Sequence, residues 1–481
     1  SLPGKYGIGS LGKEAYAFVD FLKKSGIEIW QVLPITPTGF GDSPYQSVSS
    51  FAGNPYFIDL DMLVSEGILA EEDLPKNEYS ADRVDYGALF EERPATLYKA
   101  FEKSYSSLEK KIKSFRKKNS WVDDYALFSA IKKHFGLRSW MEWEDEAIRL
   151  REKDATKKYT TLLESEINYY AFIQYLFFEQ WFKLKKYANE NGIKLFGDMP
   201  IYAAEDSADV WKDPEVFQLD ESRRPYKVAG VPPDYFSADG QRWGNPLYNW
   251  DYLKQTGYAW WLNRLRSMGE IYDIVRVDHF IGFANYYSIP ASEQTARIGE
   301  WIDAPGIDFF KKVKEELPEL CVVAEDLGAV NEKVLKLLDF CGYPGMKIAA
   351  FGLSMDPKND HNPYNYKENC VAYTGTHDNS TLLGFLKGMS SYDKELAFRI
   401  LNISDDRDYV STLIKLTMMS KAKHCIIPMQ DWLELDDSAR MNMPGTLGGI
   451  NWQWRVRKED LNENLSQKIL GLSMLSGRTK I

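Results

Sequence analysis

The sequence predicts an α/β protein, and within that class a (β/α)8 TIM barrel with helical and loop insertions. Seven apolar, β-favouring runs lie near residues 29, 194, 274, 322, 348, 372 and 426, and helical stretches separate them. Regular alternation of strand and helix builds parallel sheets covered by helices. Over 481 residues this alternation favours a barrel, with an open, doubly wound sheet as the alternative. An eighth strand is expected directly before Ser1, where the chain begins.

The first part of the chain predicts helices around one short strand. An amphipathic helix is expected over residues 14–25, and residues 27–34 are typical of a buried strand. Residues 61–160 combine charge runs with apolar positions at helical spacing, which predicts an inserted helical subdomain with solvated charged faces. Glu164 to Glu190 predicts a long amphipathic helix that ends at Asn191-Gly192.

The rest of the chain alternates between strand and helix. Strands are expected at 193–196, 271–277, 321–324, 346–351, 370–374 and 424–429, and helices at 257–268, 307–316, 331–340, 381–387, 393–402 and 407–421. Residues 199–256 are rich in turn-forming residues and predict a loop-rich subdomain inserted after the strand at 193–196. The whole chain, residues 1–481, is then one barrel domain with two insertions.

The composition is that of an acidic globular protein. The net charge of −11 and the pI near 5.3 argue against nucleic acid or an anionic membrane as partner. No apolar run approaches the length of a membrane span, and no cysteine or histidine pattern indicates a metal site. The glycines of residues 7–12 match a dinucleotide motif but lack the strand that must precede it, so no cofactor is expected. We expect a cytoplasmic protein without an obligate protein partner.

Carboxylates that follow predicted strands are the strongest functional signal. Asp278 and Glu325 come directly after two of these strands, Asp378 lies shortly after a third, and Asp198 follows a fourth. In β/α barrels and open α/β sheets, ligands bind at the edge where the parallel strands end. The sequence therefore predicts an active site built from carboxylates at this edge.

The neighbours of Asp278 and Glu325 indicate different roles for the two carboxylates. Arg276 and Asp278 are two residues apart on a strand and face the same side, where the arginine keeps the carboxylate ionised. A structural ion pair is the alternative. Glu325, against apolar walls and beside Asp326, is expected to have a raised pKa and to serve as a general acid. An exposed acid at the end of a strand is the alternative.

Asp378 supports two interpretations when it is taken alone. It lies between His377 and Asn379, in a segment typical of a turn followed by a helix cap. Combined with the other carboxylates, it suits a different role. An ionised Asp and a protonatable Glu on neighbouring strands form the arrangement of a retaining glycosidase. A third carboxylate, with His279 and His377, would then bind the hydroxyls of a distorted sugar ring and favour the transition state.

Longer motifs around these residues resemble those of the 4-alpha-glucanotransferases, also called amylomaltases or disproportionating enzymes. The resemblance runs from the first residues to near the C-terminus. The motifs include Leu2-Pro3-Gly4, Ser43-Pro44-Tyr45-Gln46, Gly53-Asn54-Pro55-Tyr56, Gly197-Asp198-Met199-Pro200, Gly240-Gln241-Arg242-Trp243-Gly244-Asn245, Arg276-Val277-Asp278-His279, Ala324-Glu325-Asp326, Thr376-His377-Asp378-Asn379 and Arg440-Met441-Asn442-Met443-Pro444.

The resemblance implies a retaining transglycosylase of the (β/α)8 type that acts on α-1,4-glucans as donor and acceptor, without metal or cofactor. It implies that Asp278 is the nucleophile, that Glu325 is the acid/base and that Asp378 stabilises the transition state. The further substrate contacts that it implies are Arg276, His279, His377, Asp198, Tyr45, Gln241 and Trp243. The family normally has a short strand before Leu-Pro-Gly. The chain lacks the extra insertion of plant-type relatives, so a bacterial-type enzyme is expected.

The resemblance also implies a loop over the active-site cleft, at residues 228–250. Its aromatic and proline residues would hold an acceptor sugar and limit water, which favours transfer over hydrolysis. They are Pro232, Pro233, Tyr235, Phe236 and Trp243. Two other functions stay open. A glucan hydrolase would use the same carboxylates, and a non-catalytic glucan-binding protein would use the aromatic residues without them.

Overall fold

Parallel strands form the centre of the computed structural model, which describes residues 1–39, 41–234, 237–328 and 330–479. In chain order the strands of this described part are β1 Ile29–Gln31, β2 Lys194–Met199, β3 Lys227–Val231, β4 Gln241–Pro246, β5 Ile274–Val277, β6 Asn285–Pro290, β7 Glu300–Asp303, β8 Val322–Ala324, β9 Gly345–Ile348, β10 Cys370–Tyr373 and β11 His424–Ile426.

The parallel strands lie in two arcs. One arc has the order β1-β2-β5-β8 and the other has the order β11-β10-β9. The arcs meet between β8 and β9, where the backbone N–H of Ala324 donates to the carbonyl of Pro344 at 2.9 Å. In the described residues β1 and β11 are the two outer strands, and no pairing joins them. All seven predicted strands are therefore confirmed, and the sheet is parallel, but it is not closed into a ring.

At least one helix lies between consecutive parallel strands of the described residues, except between β9 and β10, where only short 3-10 turns occur. The helices are α1 Lys13–Lys24, α2 Leu60–Ser65, α3 Tyr86–Lys118, α4 Trp121–His134, α5 Glu146–Arg149, α6 Lys153–Leu162, α7 Glu164–Glu190, α8 Ala208–Lys212, α9 Trp250–Gln255, α10 Ala259–Ile271, α11 Gly306–Glu316, α12 Glu332–Cys341, α13 Leu382–Gly388, α14 Ser391–Leu401, α15 Tyr409–Met418, α16 Met429–Trp432 and α17 Glu463–Leu475. Within the described ranges, none of them combines the length and the apolarity that crossing a bilayer would require.

The predicted helix over residues 164–190 is confirmed as α7, and its end follows from the sequence. Gly192 takes a positive φ of 80°, a conformation that costs glycine little. The next backbone N–H, of Ile193, then donates back to Ala188 at 2.8 Å, and β2 begins one residue later. The stop signal therefore sets where this strand of the parallel sheet starts.

A second sheet, which the sequence did not predict, lies beside the parallel one. Strands β4-β3-β6-β7 pair antiparallel in that order. Two of them, β3 and β4, lie within residues 199–256, which we had interpreted as loop-rich. Both contain glycines and polar residues that weaken a strand signal, and β3 also pairs with β6, which is some sixty residues away. Tertiary pairing, and not local propensity, makes this sheet.

Residues 61–160 contain helices, as predicted, and some of these pack on α7 through aromatic rings. Phe101 of α3 meets Phe172 of α7 edge to face at 5.6 Å between ring centres. Trp121 at the start of α4 meets Phe178 of α7 in the same way at 5.7 Å. The division of the chain into a barrel with inserted subdomains at 61–160 and 199–256 stays a prediction.

Two buried glutamines of α7 hold the loop that follows β1. The side-chain amide of Gln174 both accepts from the backbone N–H of Gly53 (2.8 Å) and donates to its carbonyl (2.9 Å). Gln180 does the same with Asp59, at 2.7 and 3.1 Å. Gly53 also lies on the Phe177 ring, and a Cβ there would approach the ring to 2.0 Å. The loop thus gains sheet-like hydrogen bonds from a helix, and only glycine fits where it crosses the ring.

We predict that Gln174→Leu lowers the free energy of unfolding by about 2–4 kcal/mol, because it leaves two buried backbone groups of Gly53 without partners. Urea unfolding measures the change. Gln467→Leu is the matched control, since this exposed side chain bonds only a neighbouring side chain, Glu463, and we expect a change within about 0.5 kcal/mol. Equal stability of the two variants would contradict the role given to Gln174.

Candidate active site

The register of the parallel strands brings Asp278 and Glu325 to the same edge of the sheet. Val277 of β5 and Ala324 of β8 are paired, so the next residue of each strand leaves the sheet beside the other. The backbone N–H of Glu325 donates to the carbonyl of Val277 at 3.1 Å. In return, the Glu325 carboxylate accepts from the backbone N–H of His279 at 2.7 Å. The two segments are therefore fixed to each other by main-chain groups.

Arg276 links the first carboxylate to a second one. Its guanidinium donates to both oxygens of Asp198, at 2.7 and 2.8 Å, and approaches Asp278 to 2.9 Å. Asp198 has a side chain with no exposed surface, whereas 27% of the Asp278 side chain is exposed. Burial raises the pKa of Asp198, and the guanidinium opposes that rise. Of the two carboxylates on Arg276, only Asp278 can be reached from the cleft.

The position of Asp198 corrects one expectation. The predicted strand ended at residue 196 and left Asp198 in the loop beyond it, but β2 continues to Met199. Asp198 is therefore inside the sheet and is paired with Arg276 in register. The aspartate looked like a turn residue because aspartates are rare in strands, and its buried arginine partner explains the exception.

Glu325 is a buried carboxyl group in a mainly neutral environment. Its two oxygens accept from the backbone N–H groups of His279 (2.7 Å) and Leu327 (2.8 Å). Burial raises its pKa to about 7, and Asp278 adds to the rise, while Arg276 and the two backbone bonds oppose it. The acidic neighbour that matters is Asp278 and not Asp326, since Asp326 accepts instead from the backbone of Met346. A carboxyl that holds its proton near neutral pH can donate it to a leaving group.

Asp378 lies in the loop between β10 and α13, and its side chain is 44% exposed. His377 Nε2 is 3.3 Å from its carboxylate, and the amide of Asn442 donates to the same oxygen at 2.7 Å. Arg440 donates to the backbone carbonyl of Asp378 at 2.6 Å. The helix cap that we weighed for this segment falls on Thr381, whose hydroxyl accepts from the third residue of α13. The helix cap therefore does not use the Asp378 side chain, which stays partly exposed.

His279 is a neutral imidazole behind the nucleophile candidate. Burial lowers its pKa to about 4, although Asp278 opposes the shift. Its Nε2 is buried and finds no hydrogen-bond partner among the described residues. The indole of Trp243 lies against the ring edge to face at 4.9 Å, and the indole N–H donates to Gln241 at 3.2 Å. An imidazole with one ring nitrogen unused can bond a ligand hydroxyl.

Tyr45 connects the Arg276 pair with the Asp378 loop. Its hydroxyl donates to Asp198 at 2.8 Å, and its ring stacks on His377 with centres 5.0 Å apart. Trp452 packs on both rings at 5.8 Å. Trp452 takes a φ of 65°, which is rare for a bulky residue and indicates that its surroundings hold it there.

The structure thus brings the ten predicted site residues into one connected region. Their elements are the loop after β1, the ends of β2, β5 and β8, strand β4, and the loop after β10. Three contributors were not predicted as site residues, namely Arg440, Asn442 and Trp452, because no strand end or catalytic residue type marks them. Of the predicted cover loop, Tyr235 and Phe236 lie outside the described residues.

Known proteins match this chain over nearly its full length. The model of the 4-alpha-glucanotransferase family matches residues 1–461. A 4-alpha-glucanotransferase of Clostridium butyricum is 44% identical over 483 residues, which cover 99% of both chains. That of Thermus thermophilus is 44% identical over 490 residues, which cover 99% of this chain and 97% of the relative. The solved structure of an amylomaltase from Streptococcus agalactiae in complex with acarbose has a TM-score of 0.97 and 43% identity, and the match covers 100% of this chain and 98% of that one. The chain belongs to the 4-alpha-glucanotransferase family.

Proposed function

We propose that this enzyme transfers α-1,4-glucan segments from one maltooligosaccharide or starch chain to the 4-hydroxyl of another glucan or of glucose, through a covalent glycosyl-Asp278 intermediate. The observation that carries the proposal is the pair at the ends of β5 and β8. Asp278 is an accessible carboxylate beside Arg276, and Glu325 is a buried carboxyl with a pKa near 7. A retaining mechanism needs one carboxylate of each kind.

In the first half of the reaction, an Asp278 oxygen forms a bond to the anomeric carbon while the bond to the glycosidic oxygen breaks. Glu325 gives its proton to that leaving oxygen. In the second half, Glu325 takes the proton from the acceptor hydroxyl, whose oxygen displaces Asp278 from the anomeric carbon. The two displacements retain the anomeric configuration, and Arg276, 2.9 Å from Asp278, stabilises the negative charge that returns to this carboxylate when it leaves.

The remaining residues hold the sugar at the reacting position. The carboxylate of Asp378 attracts the positive charge that develops on the sugar ring in the transition state. The free Nε2 of His279 and the imidazole of His377 suit hydroxyl groups of the same sugar. Trp243 and Gln241, on β4, present a flat ring and an amide to the sugars beside it.

The cover over this site comes from residues 199–256, the insertion that carries β3 and β4. Trp243 of this segment packs directly on His279, and Gln46 bonds Asn245 of the same segment at 3.1 Å. A cover joined to the site on both sides keeps water from the glycosyl-Asp278 intermediate and leaves an acceptor sugar as the favoured nucleophile. Residues 61–160 form the second insertion, which packs on α7 and also contacts residues 199–256 through Trp143 and Trp211.

We also propose that the two arcs of strands belong to a (β/α)8 barrel, in which a further strand between β1 and β11 would close the ring. A mainly apolar cavity of about 450 Å³ lies at this position. Residues of both outer strands line it, together with Ser1 and the buried face of α1, and the same cavity extends to Arg276 and His377 of the candidate site. The side chains of β1 and β11 are only half-buried, unlike those of β5, β8 and β10. A strand in this gap would bury both.

We predict that maltotriose is converted into glucose and a ladder of longer maltooligosaccharides while the total of reducing ends stays constant. Chromatography of the products with a reducing-end assay measures both. Asp278→Asn is the control and should lose at least about 10⁴-fold in kcat, because the nucleophile is gone. Rising reducing ends with only shorter products would establish the hydrolase instead. Full activity of Asp278→Asn would overturn the nucleophile assignment.

We predict that kcat/KM for maltotriose falls as the pH rises through about 7, because Glu325 must be protonated to act as an acid and its pKa lies near 7. Each further pH unit should lower the rate about tenfold. Glu325→Gln should lose about 10²–10⁴-fold with maltotriose but much less with an α-maltosyl fluoride, whose fluoride leaves without a proton. An unchanged rate up to pH 9, or equal losses with both substrates, would contradict this role.

We predict that fusing a six-residue, β-favouring apolar segment before Ser1 raises the thermal midpoint by about 3 °C or more, because a strand in the gap pairs with β1 and β11 and fills the cavity. Differential scanning calorimetry measures the shift. The matched control has proline at two positions of the segment, which removes N–H donors from the ladder. Equal midpoints for both fusions would contradict barrel closure at this position.

A further inference from the structure

The loop that carries His377 and Asp378 is tied at both ends to one buried carboxylate. It starts after β10 and runs from residue 374 to residue 381. At its first residue, the Thr374 hydroxyl donates to Oδ2 of Asp431 at 2.6 Å. Just past its last residue, the backbone N–H of Leu382 donates to Oδ1 of Asp431 at 2.8 Å. A single side chain thus closes the loop.

Asp431 is not a surface residue that happens to lie nearby. It is 1% exposed, on the short helix α16 after β11, and its two recorded partners are neutral donors. The charged or titratable groups facing it are Asp437, from the segment after α16, and Tyr409, from α15. The Tyr409 hydroxyl is buried and has no hydrogen-bond partner in the described part of the chain.

Asp437 adds a further anchor at the same end of the loop. Its carboxylate accepts from the backbone N–H of Thr381 at 3.0 Å, and the Thr381 hydroxyl in turn caps α13. Arg440 and Asn442 hold the middle of the loop from the other side, through the backbone of Asp378 and of His377. The loop is therefore held in two places. Asp431 and Asp437 bind its ends, and Arg440 and Asn442 bind its middle.

We propose that Asp431 is a positioning residue for the reaction, which in its ionised form fixes the loop so that Asp378 and His377 face the sugar, and which holds the loop less firmly once it is protonated. This inference rests on the proposed function. An ionised carboxylate accepts from Thr374 and Leu382 together, whereas a protonated one has a hydroxyl group on one of these two oxygens. One anchor is then weakened, and the transition state loses the charge of Asp378 at its required place.

Burial raises the pKa of Asp431 to about 6, and Asp437 contributes to the rise, while the bonds from Leu382 and Thr374 oppose it. The sign follows from this direction. Above pH 6 the Asp431 carboxylate is ionised and accepts from both Thr374 and Leu382. As the pH falls through 6, Asp431 is protonated and holds the loop less firmly. Together with Glu325, which must keep its proton, this gives a narrow optimum between about 6 and 7.

The first experiment is the pH profile of kcat for maltotriose transfer with Asp431→Asn, a variant of the same shape that cannot titrate. We expect a lower maximum and an acid limb displaced downward by at least about one pH unit, since the group that titrates near 6 is absent. KM should change much less than kcat, because Asp378 acts mainly in the transition state. An acid limb that stays in place overturns the inference, whatever the maximum does.

A second set of variants covers the case in which Asp431→Asn does not fold. Thr374→Val removes one anchor and keeps Asp431, and we expect about a tenfold loss of kcat with KM changed less than about threefold. Thr374→Ser restores the hydroxyl and should restore kcat. Thr417→Val is the matched control, equally buried and also losing one hydrogen bond, to Leu413, away from the loop. Similar kinetics for Thr374→Val and Thr417→Val would also overturn the inference.

These results are separate from those that test the proposed function. If the unmodified enzyme transfers glucan and Asp278→Asn does not, the function stands. The behaviour of the Asp431 and Thr374 variants then decides the positioning role alone.

Discussion

The guanidinium of Arg276 between Asp198 and Asp278 is the interaction on which the site depends. Desolvating a charge is costly, and this arginine is nearly buried, so it needs carboxylates around it. Asp198 meets that need from inside the sheet, with both oxygens on the guanidinium and a third bond from Tyr45. Both Asp198 oxygens are bonded inside the site, so this carboxylate is not accessible. Arg276 contacts Asp278 on one side only, and the rest of the Asp278 side chain stays accessible. Removing Asp198 would leave the buried arginine short of a carboxylate partner and would disturb its contact with Asp278.

The same principle separates the environments of the two carboxylates at the ends of β5 and β8. Asp278 has a cation within 2.9 Å and partial access to solvent, whereas Glu325 is buried and bonded to backbone N–H groups. The two carboxylates follow paired residues at the ends of neighbouring strands. Their different environments therefore do not come from different positions in the sheet. The difference comes first from the burial of Glu325 and second from the direct contact of Arg276 with Asp278, which follows from the two-residue spacing of these residues on one segment.

Local patterns in the sequence predicted the parallel strands, the helix α7 and the grouping of the three carboxylates, since each depends on residues close together in the chain. The motif resemblance added the substrate contacts. What could not be predicted depends on pairing over long distances. The β3 strand pairs with the distant β6 on one side and with β4 on the other, and Asp198 is inside a strand because Arg276 is across from it. No sequence pattern marked Asp431 as a candidate residue, because its contacts with Thr374 and Leu382 exist only in the folded loop.

The glutamines of α7 have a consequence for how the protein is made. Gln174 and Gln180 each lie 121 residues after the backbone that they bond. At about 5–20 residues per second, the ribosome releases Gly53 and Asp59 some 6 to 24 seconds before their partners. During synthesis, the loop that will carry part of the cleft therefore waits without its hydrogen bonds, and the N-terminal strand and helix wait with it. Emergence of α7 is the event that lets this loop form its hydrogen bonds.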